Sequence, residues 1–189
     1  MANLPISQLP ELTGITSDAE FAVAQGGTTY KVKAGFASSG NLHGSFHSQL
    51  SQSATSITTA YSLSAETTDF SSGVSVVDGS KFTVSSGGTF NLQFSAVFQK
   101  TQGGTIEFVS IWLSKNNSNV PWTNTDVSMA NNNEYVIAAW NFVEELNAGD
   151  YLELKWRTST LSMVCPFIET QSNPTRPATP SVIVTVTQI

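Results

Sequence analysis

The sequence FNLQFSAVF at residues 90–98 restricts the possible fold more than any other stretch of this chain. Apolar and polar residues alternate strictly along it. A period of two places the apolar side chains on one face of an extended strand and the polar ones on the other. The turn-forming clusters SSGG and TQGG lie before and after it. The stretch therefore predicts an antiparallel strand with one buried face, formed by Phe90, Leu92, Phe94, Ala96 and Phe98.

Short segments of the same kind recur from residue 43 to the end of the chain. In YLELKWR, Leu152, Leu154 and Trp156 are predicted to point inward and the charged residues between them outward. The C-terminal SVIVTVTQI is rich in β-branched residues and predicts another strand. Further strands are expected at 43–52, 55–65, 74–84, 105–114, 134–145 and 161–168.

Many short strands separated by turn signals predict an all-β fold, namely an antiparallel β-sandwich of the jelly-roll type. The only helical element expected is a short turn at residues 16–20. We place the sandwich domain at residues 39–189 and a small extended N-terminal module at residues 1–38.

The composition of the chain excludes several classes of function. Charged residues make up 12% of the 189 residues, the formal net charge is −6, and the eight Lys and Arg residues are scattered. Nucleic-acid binding requires clustered basic residues, so no nucleic-acid partner is expected. No apolar run reaches the roughly 18 residues of a membrane span, and residues 1–20 lack the features of a secretory signal. We therefore expect synthesis in a cytoplasm and no membrane insertion.

Residues that could carry catalysis or bind a metal are sparse. The two histidines, His43 and His47, occur in HGSFH. On a strand they share a face about 13 Å apart (~3.3 Å per residue), which is too far for one zinc ion. A metal shared between subunits on a symmetry axis is the alternative. No nucleophile and base are paired in a known motif, so we predict no enzyme activity, no cofactor and no metal. The single cysteine, Cys165, is interpreted as a small buried residue.

Two segments carry apolar residues on both faces. They are TIEFVSIWL at 105–113 and EYVIAAWNFV at 134–143. A sandwich strand with one face in water should be apolar on one side only. The surplus could be covered by a loop of the same chain, but we prefer a neighbouring subunit in a closed cyclic assembly. The predicted subunit-interface residues are Phe108, Trp112, Tyr135, Ile137, Trp140 and Phe142.

Trp122 differs from the other three tryptophans because NVPWTNT predicts a loop rather than a strand. An exposed tryptophan can stack on a ligand such as a sugar. The possible surface-ligand contacts are therefore Trp122, with Asn117 and Asn132 from the Asn-rich loops at 116–119 and 131–133.

The N-terminal segment has too few apolar residues to form its own core, yet they are regularly spaced. Such a segment suits a site on another protein, and its prolines keep the chain extended and reduce the entropy lost on binding. Gly26 and Gly27 predict a tight hairpin turn between EFAVAQ and TTYKVK. The predicted anchor residues are Leu4, Pro5, Ile6, Leu9, Pro10, Leu12, Phe21 and Val23.

Four segments together resemble a jelly-roll domain of tailed-phage structural proteins, similar to the trimeric jelly rolls of tumour necrosis factor and the complement globular head. They are GTFNLQFSAVFQKT, VSIWLSKNNSNVPWTNT, VIAAWNFVEELNAGDYLELKW and NPTRPATPSVIVTVTQI. The stretch ISQLPELTGITSDAEFAVAQGGTTYKV resembles a short module that opens many phage fibre and decoration proteins.

The resemblance implies a homotrimeric virion protein, made in the host cytoplasm, that decorates the capsid or forms a fibre. Residues 1–35 would attach it to another capsid or tail protein, and the jelly roll would point outward. The alternative is a tail fibre or receptor-binding tip that recognises a host-surface glycan. The resemblance implies neither an enzyme nor a cofactor.

Overall fold

A computed structural model describes residues 20–33 and 41–189, and the contacts within the chain separate Met1–Gly40 from Asn41–Ile189. In the first unit, strands β1 (Glu20–Gln25) and β2 (Thr28–Lys33) form an antiparallel hairpin. Gly26 and Gly27 form its turn with φ of 59° and 77°. Positive φ at both central residues is the condition for the tight hairpin turn, so the predicted hairpin is confirmed. The turn predicted at 16–20 lies outside the described residues except for Glu20.

The second unit is built from short antiparallel strands. They are β3 (His43–Ser48), β4 (Gln52–Ser53), β5 (Tyr61–Ser62), β6 (Thr67–Ser72), β7 (Val74–Val77), β8 (Lys81–Val84), β9 (Gly88–Lys100), β10 (Glu107–Lys115), β11 (Ser118–Asn119), β12 (Thr125–Met129), β13 (Glu134–Leu146), β14 (Tyr151–Thr158), β15 (Met163–Cys165), β16 (Gln171–Ser172), β17 (Thr175–Arg176) and β18 (Val182–Gln188).

Two seven-stranded sheets make up this unit, and β16 and β17 form a separate small hairpin. The β9 sheet has the order β4-β15-β9-β18-β3-β6, with β13 also paired to β9. The β14 sheet has the order β11-β10-β14-β8-β7, with β12 paired to β10 and β5 paired to β14. Side chains of the two sheets meet in one core, where the rings of Phe46 and Phe82 lie 5.3 Å apart and those of Phe98 and Trp156 lie 5.7 Å apart. The predicted all-β antiparallel sandwich is confirmed.

Strand β9 is the centre of its sheet. All five of its predicted inward residues, Phe90 to Phe98, are buried. It pairs with β13 over its whole length, from Gly88 opposite Leu146 to Lys100 opposite Glu134. Strand β18 pairs with residues 90–96 of β9 and strand β15 with residues 99–100, all of which also pair with β13. Because a strand has two edges, β13 occupies one edge of β9, and β18 and β15 share the other.

The prediction of a strand at 55–65 is wrong in length, because only Tyr61–Ser62 pairs as a strand. Leu63 and Ala65 lie in a loop, and their side chains are nevertheless buried in the core. The N–H of Leu63 donates to the carbonyl of Leu154, and the N–H of Ala65 donates to the carbonyl of Gly79. The segment predicted as one strand at 74–84 is the hairpin β7–β8. It turns at Asp78 and Gly79, both with positive φ. Strands β6 and β12 were not predicted.

Glu153 was predicted to point outward to solvent, but its side chain is only 3% exposed. It does lie on the outer face of β14. The hydroxyls of Ser62 and Ser80 donate to its Oε1 at 2.9 and 3.2 Å, and Lys155 Nζ lies 3.1 Å from its Oε2. A buried carboxylate requires such partners. Residues from two other segments, Ser62 and Ser80, therefore cover this part of β14.

Cys165 is buried as predicted, and its Sγ lies 3.3 Å from the carbonyl of Ser181. Burial raises the pKa of the thiol to about 12. The described residues contain no helix that is long and apolar enough to cross a membrane.

Leu92 tests the assignment of the core. Leu92 is 0% exposed, whereas Leu50 is 56% exposed. We expect Leu92→Ala to lower the free energy of unfolding by about 2–5 kcal/mol, because it removes buried methyl groups and leaves a cavity. Leu50→Ala should change it by less than about 0.5 kcal/mol. Denaturant titration followed by tryptophan fluorescence measures both, since all four tryptophans lie between residues 112 and 156. Equal losses in the two variants would contradict this core.

Candidate functional site

One Ser, His and Asp cluster lies on the outer face of the β9 sheet, and its geometry differs from that of a hydrolase. Ser45 Oγ donates to Asp69 Oδ2 at 3.0 Å, and His47 Nδ1 lies 2.8 Å from Asp69 Oδ1. His47 Nε2 faces the Gln49 amide at 3.0 Å. Serine activation requires the histidine between the serine and the aspartate. Here the aspartate lies between them, so the cluster joins β3 to β6 without activating the serine.

His43 and His47 lie on one face of β3, as predicted, separated by Ser45. Each ring has a partner within its own chain, because His43 Nδ1 lies 2.9 Å from the carbonyl of Asn41. Within residues 20–33 and 41–189, no three His, Cys, Asp or Glu side chains are close enough together to hold a metal ion.

The outer face of β13 is the main apolar surface without a partner in the sandwich. We define it as Tyr135, Ile137, Ala139, Asn141 and Val143, which alternate with inward residues and are all exposed. The exposed fractions are 52% for Tyr135, 67% for Ile137 and 51% for Val143. Among the described strands, β13 pairs with β9 alone, so its other edge has unpaired backbone groups. Edge strands normally carry charges, bulges or prolines that prevent further pairing. Between residues 135 and 143 this strand has none of them.

The six predicted interface residues lie on three different surfaces. Tyr135 and Ile137 lie on the β13 outer face. Trp140 and Phe142 point inward and are half-buried. The ring centroid of Phe94 lies 4.7 Å from that of Trp140 and 6.2 Å from that of Phe142. Phe108 and Trp112 lie on the outer face of the β14 sheet, half-buried.

The surplus apolar surface of β10 is partly covered by its own chain. The Arg157 guanidinium lies 5.3 Å from the centre of the Phe108 ring. Trp112 Nε1 donates to Asn119 Oδ1 at 2.8 Å. A covering segment of the same chain was the alternative explanation for the double-faced pattern, and it accounts for part of this face.

A groove of about 700 Å³ lies on the outer face of the β14 sheet. We call it the tryptophan groove. Its lining residues are Ser110, Trp112, Asn119, Val120, Trp122, Asn124 and Arg157. Trp122 is fully exposed and adopts the left-handed backbone conformation, with φ of 68°. A non-glycine residue in that region costs about 1–3 kcal/mol, so the surrounding structure must hold it there.

Thr123 holds the loop that carries Trp122. Its Oγ1 accepts the N–H of Leu113 at 3.1 Å and donates to the carbonyl of Val120 at 2.7 Å. Both contacts tie the loop to strand β10 and to the turn before it. The backbone at Trp122 is therefore held by hydrogen bonds of the neighbouring residue.

Strand register places three polar residues in a row on the outer face of the sheet; Ser110 and Arg157 line the groove, and Asp126 lies beside it. Ser110 pairs with Asp126 on one side and with Arg157 on the other. Asn124 Nδ2 donates to Asp126 Oδ1 at 3.3 Å. With neighbouring strands about 4.8 Å apart, the backbones of Asp126 and Arg157 are separated by about 10 Å. The small Ser110 side chain leaves the space between them open.

Of the predicted ligand contacts, Trp122 lines the groove, whereas Asn117 and Asn132 do not. Asn117 lies in the turn between β10 and β11, with φ of 65°, and Asn132 lies in the turn before β13. Sequence reasoning did not identify Ser110, Asn124 and Arg157. The alternation of β10 and β14 places Ser110 and Arg157 outward, but only the register between the strands brings them together.

In the N-terminal unit, the structure describes two of the predicted anchor residues. Phe21 and Val23 lie on β1 and are exposed, and Val23 pairs with the exposed Tyr30 of β2. Lys31 Nζ and Glu20 Oε1 form an ion pair at 2.6 Å. The other predicted anchor residues, at positions 4–12, lie outside the described residues.

Two carboxylates fix the turns that precede and follow strand β13. Glu134 Oε2 accepts the N–H groups of Asn131 and Ala130 at 2.7 and 2.8 Å, and these hydrogen bonds lower the pKa of Glu134. Asp150 accepts the N–H of Asn147 and the amide of Asn116, and the pKa of Asp150 is lowered by the same type of contact. These hydrogen bonds hold the turn at residues 147–150.

Comparison of the chain with known protein families matches no family model, and comparison with curated proteins finds no significant match.

Glu134 provides a test through pH. Its pKa is lowered in the folded chain, so its contribution to stability is present above the unfolded pKa of about 4.3 and is lost as pH falls through the folded value. We expect Glu134→Gln to lower the unfolding midpoint at pH 7, and the difference from the unsubstituted chain to shrink as pH falls below about 4. Glu169→Gln, at an exposed loop position, is the control. A difference that does not change with pH would show that the carboxylate charge is irrelevant.

Proposed function

We propose that this chain is a non-enzymatic structural protein of a tailed-phage virion. The sandwich forms a homotrimer, and residues 1–35 attach it to another capsid or tail protein. The β13 outer face is the observation that carries the proposal. The number three and the virion setting rest on the resemblance of the chain to phage jelly-roll proteins.

A long edge strand with an apolar outer face favours association between chains. The β13 outer face continues across the neighbouring strands of the sheet. Ile137 pairs with Val97 of β9. Ala139 pairs with Ser95 of β9, which pairs in turn with Ile183 of β18. Ionic side chains flank this surface at Glu134 and Glu145 rather than interrupting it. Burying such a surface removes apolar area from water, which drives most stable assemblies. In a cyclic trimer each chain contributes two different patches, and the β13 outer face is one of them.

The N-terminal hairpin supports the attachment role. A two-stranded hairpin is at most marginally stable in water by itself, and this one leaves Phe21, Val23 and Tyr30 exposed. Covering by a partner protein would stabilise it. The Ser45, His47 and Asp69 geometry supports a role without catalysis, since no base is placed to activate the serine.

Receptor binding by a tail fibre is the second candidate function. The tryptophan groove is the observation that favours it, because it combines a fully exposed aromatic ring with several polar side chains.

Ile137 tests the association. We expect the full chain to show three times its monomer mass by light scattering. Placing an unpaired lysine charge in an apolar interface costs about 2 kcal/mol or more. Ile137→Lys should therefore weaken association at least about 30-fold and shift the protein toward monomer.

Ile106→Lys is the matched control, because Ile106 is also highly exposed but lies before β10, away from the β13 outer face. It should retain the trimer mass. Tryptophan fluorescence should be unchanged in both variants, which shows that the sandwich remains folded. A monomer at all concentrations in the unsubstituted chain would refute the trimer.

Deletion of residues 1–35 tests the attachment. The shortened chain should keep the fluorescence and unfolding midpoint of the sandwich, because the core lies within Asn41–Ile189. It should be absent from purified virions in an immunoblot, whereas the full chain is present. Normal incorporation of the shortened chain would place the attachment site elsewhere.

A further inference from the structure

We propose that the tryptophan groove is a binding site for a neutral saccharide with neighbouring hydroxyl groups. This inference rests on the receptor-binding candidate and is independent of the trimer. Its size is appropriate, since about 700 Å³ falls within the 300–1,000 Å³ range of small-molecule sites.

Trp122 provides the stacking surface. Its indole ring is fully exposed, although burial of such a ring is strongly favourable. The Thr123 hydrogen bonds hold the left-handed backbone that carries the ring before any ligand arrives. Binding therefore restricts only the two side-chain torsions of the tryptophan, and the ring face accepts the C–H side of a pyranose ring. The conformational energy stored at Trp122 has no other evident role in the fold.

The groove also presents hydrogen-bonding groups that the fold leaves available. Asn119 accepts the indole N–H of Trp112 through Oδ1, which leaves its amide N–H groups for a ligand. Asn124 is oriented by its contact with Asp126. Ser110 offers a hydroxyl at the floor. The groove thus presents both donors and acceptors, as neighbouring hydroxyl groups of a sugar require.

The charges favour a neutral ligand over an acidic one. Arg157 stacks on Phe108 and forms no ion pair with any described residue, so its N–H groups can donate to ligand hydroxyls. Asp126 stands in the same row on the opposite side of Ser110. A carboxylate ligand that gained from Arg157 would be repelled by Asp126. The hydroxyl groups of a neutral ligand can accept from Arg157 without that repulsion.

The test uses the full chain and the indole N–H signals in a ¹H–¹⁵N spectrum, where Trp140 and Trp156, which do not line the groove, serve as internal references. The neutral probes are mannotriose, maltotriose, lactose and diacetylchitobiose, and the acidic probe is digalacturonic acid. We expect at least one neutral probe to shift the Trp122 signal in a saturable way below about 20 mM, in the weak range typical of single small-ligand sites. Trp140, which points inward, should not move.

Three variants sharpen the result. Trp122→Ala should lower affinity at least tenfold, and Trp122→Phe, which keeps an aromatic face, should lose less. Asn124→Ala should lower affinity by about three- to tenfold, which corresponds to one lost hydrogen bond. Both positions are exposed, and unchanged unfolding midpoints would show that the three variants fold.

Four outcomes would overturn the proposal. They are no shift with any neutral probe, equal affinity in Trp122→Ala, tighter binding of digalacturonic acid than of every neutral probe, and dissociation of the oligomer by Trp122→Ala. The last would identify the groove as a subunit interface. Failure of the Ile137→Lys test would leave this result unaffected, since one experiment measures mass and the other measures saccharide binding.

Discussion

The pairing of β9 with β13 over thirteen residues determines the rest of the sandwich. It aligns the inward side of β13 with the aromatic row of β9, so that Trp140 and Phe142 close the core around Phe94. The same register points Tyr135 and Ile137 outward. Because β9 is already paired with β18 on its other edge, β13 becomes the end of the sheet. One interaction thus produces both the closed core and the unpartnered edge.

Sequence pattern predicted the long apolar strands and missed short polar ones such as β6. Strands β9 and β14 have strict period-two patterns, and their inward residues are buried as expected. Strand β6, TTDFSS, contains one apolar residue, and its pairing with β3 includes a register shift between Ser45 and Phe46. Its position depends on hydrogen bonding to a distant strand rather than on its own composition. Leu63 was assigned to a strand because an apolar residue in a buried loop cannot be distinguished, in the sequence, from an apolar residue in a buried strand.

In the candidate sites, too, features set by neighbouring residues in the sequence could be predicted, whereas contacts between distant residues could not. The loop around Trp122 could be predicted because Pro121 and the neighbouring Asn and Thr residues favour turns. Arg157 could be assigned to the outer face of its strand, but not to the groove. Its proximity to Ser110 depends on the pairing of β10 with β14, and those residues are far apart in sequence. Burial of Glu153 likewise depends on Ser62 and Ser80, which arrive from two other segments.

The two candidate surfaces differ in the physical reason for their exposure. The β13 outer face is exposed because nothing in the described chain pairs with the strand, so association would complete the sheet without changing the fold. Trp122 is exposed on a loop whose backbone is held in the left-handed region by the hydrogen bonds of Thr123. In the proposed role, a saccharide would cover its ring without changing that backbone. Since the β13 outer face and the groove lie on different sheets, association through β13 leaves the groove open, and both roles are compatible in one assembly.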